Sequence, residues 1–159
     1  MIIIIVGGRP GCGVGGHCIA IDPWFIASQV PTLSGLIQSA RKVNLEKTLW
    51  SIKLINNKLN SFEKEFNKKP ILGIFGLTFK QDIDDIRESP AIFITDKLLE
   101  EGHNILICEP NLKEDKNYEI IDVENVIEKS DILLFLVPHT TFKNLDLKNK
   151  TIIDLCGIT

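Results

Sequence analysis

Cys18 and Asp22 stand four residues apart in the run Gly-Gly-His-Cys-Ile-Ala-Ile-Asp-Pro from Gly15 to Pro23. A thiolate is a good nucleophile toward an aldehyde carbon, and a carboxylate close by can orient or deprotonate the water that later hydrolyses a thioester. Read as a small buried hydrophobe, the same cysteine needs no chemistry; spacing alone leaves both readings open. Zinc suits the segment poorly, because Cys12, His17 and Cys18 offer no CxxC pair and no fourth ligand, so no metal site is expected. Gly11, Gly13 and Gly16 spell GxGxxG after an Ile-rich run. A dinucleotide fingerprint also needs a helix opening at the third glycine and an acid about 20 residues on. Pro23 falls where that helix would continue, and Gln38 to Arg41 supplies no acid, so the pattern argues against dinucleotide binding here.

A second dense patch runs from Gly76 to Pro90, holding Phe79, Lys80, Asp82, Asp84, Asp85 and Arg87. Ser89 reads as a helix N-cap with Pro90 in the first turn, and the three aspartates are expected to favour the positive helix end. Lys80 and Arg87 are two cations in a loop where a pyrophosphate would suit them. As counter-charges to the local acids they would carry no function.

The elements that must position these residues fall into three regions. The chain of 159 residues has room for one domain and an appendage. Residues 1–31 are rich in glycine and proline and read as a turn-rich loop leading to a short apolar segment. Residues 32–69 read as one long helix, with Thr32 or Ser34 as N-cap. One stripe runs through Leu36, Ala40, Val43, Trp50 and Leu54, and a shifted one through Ile55, Leu59, Phe62 and Phe66. A helix of that length outruns a small core, so it is expected to meet another domain or a second copy of itself. Residues 70–159 alternate apolar runs (71–75, 105–108, 132–137, 151–155) with helical segments (90–101, 123–129). That order predicts an α/β fold with a doubly wound parallel sheet, its ligand crevice at the carboxyl ends of the strands.

Charge is unevenly spread. Residues 41–69 hold eight Lys or Arg against three Glu, whereas residues 70–159 hold nine against seventeen acids. An acidic body argues against a nucleic-acid surface. No apolar run approaches the roughly 20 residues of a membrane span, and no export signal precedes Ile2. A cytoplasmic protein with four reduced cysteines is therefore expected.

The stretches Gly-Val-Gly-Gly-His-Cys-Ile-Ala-Ile-Asp-Pro-Trp-Phe (13–25), Gly-Leu-Thr-Phe-Lys (76–80) and Asp-Asp-Ile-Arg-Glu-Ser-Pro-Ala (84–91), with a long helix between the first and second, resemble the UDP-glucose/GDP-mannose dehydrogenase family. The form around Cys18 most resembles the branch acting on UDP-N-acetyl-D-mannosamine. The resemblance implies oxidation of a nucleotide-sugar C6 hydroxyl to a carboxylate in two NAD-dependent steps, for polysaccharide biosynthesis. It implies Cys18 as the nucleophile that captures the aldehyde and Asp22 as the carboxylate assisting water. Gly13, Val14 and Gly15 would hold the sugar nucleotide, Phe79 and Lys80 would contact substrate, and Arg87 would contact NAD. It further implies a homodimer on the long helix and a Rossmann-like UDP-sugar-binding body at 70–159. The family's N-terminal NAD-binding domain and its catalytic Lys and Asn have no counterpart, and Asp154-Leu155-Cys156-Gly157 stands where the family has Asp-Thr-Arg-Gly. The expectation is a C-terminal portion not competent alone; a non-catalytic nucleotide-sugar-binding or dimerisation module is the alternative.

Overall fold

Short runs of Ile, Leu, Val and Phe, bounded by polar turns, build a sheet buried on both faces. The computed structural model describes residues 11–147 and 150–158; the apolar run at Ile2 lies outside them. Strands β1 (Ile71–Phe75), β2 (Asn104–Cys108), β3 (Ile132–Phe135) and β4 (Thr151–Asp154) are all parallel in the order β2-β1-β3-β4. The sheet is therefore wound outward from β1 and β3, and the topological switch point lies between their carboxyl ends. β3 is shorter than the apolar run 132–137 suggests. Leu136 and Val137 turn out of the strand and donate both backbone N–H groups to the Phe75 carbonyl, at 3.0 and 3.3 Å, closing the crevice floor.

Helices α1 (Asp22–Gln29) and α2 (Gly35–Phe66) precede the sheet. The first corrects the reading of residues 1–31 as loop and short apolar segment: Pro23 sits in the opening turn of α1, where its missing N–H costs nothing. Ser34 is the N-cap residue of α2, but its hydroxyl donates to the Pro31 carbonyl instead of capping an amide. The helix has 32 residues, about 48 Å at 1.5 Å per residue. α3 (Pro90–Glu100) is capped as expected, the Ser89 hydroxyl accepting from the Ala91 N–H at 3.2 Å. α4 (Val123–Lys129) is capped by Asp122.

Period-two alternation along the strands divides the core in two. Leu72, Ile74, Ile132 and Leu134 face α2 and α3, meeting Ile55, Leu59, Ile94 and Leu98. Phe75, Leu133 and Phe135 face α4 and pack with Val126, Phe142, Cys108 and Cys156. Phe75 stacks on Phe135 at 4.7 Å between centroids, with Phe142 edge-on at 5.3 Å. Cys156, where the resemblance has a basic residue, is thus part of a buried aromatic cluster.

Only the second half of α2 reaches this core, through Ile52, Ile55 and Leu59. Leu36, Val43 and Trp50 of the first stripe remain exposed, as do Trp24, Phe25 and Ile26 of α1. Among the described residues no helix is long and apolar enough to cross a membrane.

Candidate functional site

The segment from Gly11 to Gly16 is irregular chain, and α2 holds it with polar side chains that the hydrophobic stripes skip. Asn44 clamps Val14 at both backbone groups, accepting its N–H at 2.8 Å and donating to its carbonyl at 3.0 Å. One turn on, Thr48 donates to the Cys12 carbonyl at 2.9 Å. Gly16 donates its N–H to the Arg87 carbonyl at 3.2 Å, joining the segment to the second patch. Gly15 and Gly16 do not open space for a ligand on the side where a Cβ would stand. A Cβ at Gly15 would fall 2.1 Å from the Glu88 carbonyl oxygen, and one at Gly16, whose φ is +93°, would fall 2.9 Å from the Phe79 ring. Both are glycines because the second patch packs against them.

Residues 17–21 form a turn into α1, with the Cys18 carbonyl accepting the Asp22 N–H at 2.8 Å. Cys18 is exposed, whereas Cys12, Cys108 and Cys156 are buried. Burial pushes the Cys12 thiol up to about 11 and the Cys108 thiol up to about 12, so neither is a ready thiolate. Cys18 and Asp22 share a groove of about 580 Å³ with Val14, Ile37, Arg41 and Asn44. The Nε of Arg41 is buried there without a hydrogen-bond partner among the described residues. A second hollow, about 420 Å³, is lined by Gly13, Val14, Gly15, Phe79, Lys80 and Pro138. Val14 and Ile19 line both, so the two hollows adjoin along one wall. The residues singled out in sequence for thiol chemistry and those for nucleotide-sugar contact thus lie in adjoining hollows, the second of which reaches the carboxyl ends of β1 and β3.

Arg87 lines neither hollow, although its charge is felt at Cys18. Its guanidinium grips Asp85 through three hydrogen bonds of 2.6 to 3.0 Å. Those bonds hold the Asp85 carboxyl down at about 2, and they keep Arg87 more firmly charged than an isolated arginine. His17 Nδ1 lies 3.9 Å from the same carboxylate. Asp82 and Asp85 are taken up by other partners than the α3 N-terminus that the sequence suggested. Asp82 instead accepts from the Thr140 hydroxyl and N–H, at 2.6 and 2.7 Å, which brings its carboxyl down to about 2.

Sequence reading missed the group beneath this loop. Glu109, at the carboxyl end of β2, is where a dinucleotide-binding sheet presents an acid to a ribose. Here it is buried and turned inward, accepting the N–H groups of Leu77, Thr78 and Asn111 at 2.7, 3.2 and 2.9 Å and facing His139 Nε2 at 3.0 Å. Burial alone would raise its carboxyl; the bonds from His139, Leu77 and Asn111 outweigh this and hold it below the usual range. An acid ending an apolar strand run was the available signal. Asn44 and Thr48 left no such sign, since nothing local marks which polar residues of a helix meet a loop.

Residues 73–159 match the profile of the UDP-glucose/GDP-mannose dehydrogenase family, UDP binding domain. The chain is 40% identical over 164 residues to a UDP-N-acetyl-D-mannosamine dehydrogenase of Yersinia pestis, covering 94% of this chain and 39% of that protein. It is 37% identical over 158 residues to an NDP-N-acetyl-D-galactosaminuronic acid dehydrogenase of Ralstonia nicotianae, covering 94% and 36%. Its fold is similar to that of a UDP-N-acetyl-mannosamine dehydrogenase of S. aureus, with a TM-score of 0.78 and 31% identity over 94% of this chain and 36% of that one. The chain spans a little over a third of the length of these relatives.

Proposed function

The chain belongs to the UDP-glucose/GDP-mannose dehydrogenase family, and from that membership we propose that it carries the thiol and nucleotide-sugar part of a UDP-sugar 6-dehydrogenase. The substrate proposed is UDP-N-acetyl-D-mannosamine, taken to the mannosaminuronate. The observation that carries this reading is the convergence of an exposed Cys18 with Gly13, Val14, Gly15, Phe79 and Lys80 on adjoining hollows.

In this reading the uridine diphosphate lies against Phe79 and Lys80 at the carboxyl end of β1, and Lys80 offers its ammonium to the pyrophosphate. The sugar reaches along the shared Val14 wall, so that C6 meets Cys18. The Cys18 thiolate adds to the aldehyde carbon and the oxygen takes a proton, giving a thiohemiacetal; two-electron oxidation turns this into a thioester. Asp22, one turn from Cys18 on the same groove, accepts a proton from the water that attacks the thioester carbon, and the thiolate leaves. The family's oxidations call on NAD. The described residues do not fit it as a site of their own: no helix opens at Gly16, and Glu109 is spent on backbone amides. Arg87 is proposed as a single contact to NAD held elsewhere. Four free cysteines support a reducing, cytoplasmic setting.

Calorimetric titration tests the reading: UDP should bind and NAD should not, with Lys80→Ala weakening UDP roughly tenfold if the contact is charge-assisted. NAD binding without UDP binding would reverse the assignment.

A further inference from the structure

We propose that His139 is a positioning residue of the nucleotide-sugar site, holding one end of the Leu77–Asp82 loop while Glu109 holds the other; this rests on the reading that Phe79 and Lys80 of that loop meet the ligand. The two side chains are completely buried and join the carboxyl ends of three neighbouring strands, β1, β2 and β3. His139 Nδ1 receives the Asp82 backbone N–H at 3.0 Å and faces Asn111 Nδ2 at 2.8 Å. A backbone amide can only donate, so Nδ1 is the bare nitrogen and the ring proton sits on Nε2, facing Glu109 Oε2 at 3.0 Å. Thr78 Oγ1 is 3.2 Å from the same nitrogen and donates to the Lys80 carbonyl at 2.9 Å.

The bonds therefore end on loop backbone on both sides of Phe79 and Lys80. Asp82 has φ +57°, a left-handed conformation uncommon outside glycine though more accessible to aspartate than to most residues. His139 fixes the amide of this residue from below while Thr140 fixes its carboxylate, leaving the upper face of the loop to the 420 Å³ hollow.

The test compares two variants in the full chain by UDP titration, each checked by thermal unfolding. His139→Asn can present its Oδ1 near the Nδ1 position and accept the Asp82 N–H; His139→Gln can still donate to Glu109 but abandons that amide. We expect His139→Asn to bind UDP within about threefold of wild type and His139→Gln about tenfold more weakly, the effect of one lost hydrogen bond. Equal losses in both variants, or none in either, would overturn the proposal. Hydrogen exchange on the wild type needs no variant: the amides of Leu77, Thr78 and Asp82 should be protected and slow further with UDP, and fast exchange at Asp82 would also overturn it. If Lys80→Ala weakens UDP but neither His139 variant does, this inference alone fails. Absence of UDP binding by wild type would remove the reading beneath it, and this inference with it.

Discussion

Among the four thiols, exposure separates Cys18 from Cys12, Cys108 and Cys156, and reactivity should follow it. In the folded chain, iodoacetamide mapped by mass spectrometry should modify Cys18 first. Cys108, pushed up to about 12 by burial, should react only on unfolding. Equal rates at the two sites would end the case for Cys18 as nucleophile. Two carboxylates also make a residue-scale prediction. Asp82 and Asp85 are both held near 2, against an ordinary 3.8, chiefly by hydrogen bonds from Thr140 and Arg87. A depressed folded value means that each group's contribution is complete above about 3.8 and is lost as pH falls through 2. The amide resonances of Thr140 and Arg87, which donate to these carboxylates, should therefore titrate with midpoints near pH 2. Midpoints near 3.8 would mean that the loop contacts are not formed in solution.

At the scale of the element, α2 does two jobs with different residues. Ile52, Ile55 and Leu59 anchor its second half in the core, while Asn44 and Thr48 hold the cysteine segment. Cys12 joins the core, and these polar bonds fix the rest of the segment against α2. Thr48→Val keeps the shape and removes the donor to the Cys12 carbonyl, costing about 1 kcal/mol in urea unfolding. Asn44→Ala should free the Val14 amide, measured as faster hydrogen exchange there with little change at Ile55. Unchanged exchange at Val14 would show that the segment is positioned by other contacts.

For the whole molecule, the first half of α2 together with α1 carries the most extended exposed apolar face among the described residues. Leu36 is 86% exposed, Val43 62% and Trp50 50%, beside Trp24, Phe25 and Ile26. An apolar face of this extent marks an interface, and the proposed partner is a second copy of the chain, as the family resemblance implies. Trp50, with Lys47 Nζ 3.9 Å above its ring, lies near the middle of α2. Trp50→Glu should shift the chain toward monomer in light scattering, since a charge would be left in a desolvated contact. A monodisperse wild-type monomer at micromolar concentration would overturn the dimer.

What the sequence determined by itself was what local pattern can encode. Ile71–Phe75 and Val123–Lys129 were legible to the residue because apolar periodicity and flanking turn residues act within a few positions. Ser89 and Pro90 marked the start of α3 for the same reason. Cys18, Asp22, Phe79 and Lys80 were legible as chemistry and by resemblance, but not as neighbours. Only the tertiary structure decided that α2 and β1 bring these distant residues into adjoining hollows. It alone showed that Gly15 and Gly16 yield space to Glu88 and Phe79, that Asp82 serves Thr140 and not a helix end, and that Glu109 turns inward to His139. The physical reason is common to all of these: a hydrogen bond or close contact between distant segments depends on how elements pack, and leaves no periodic trace in either segment.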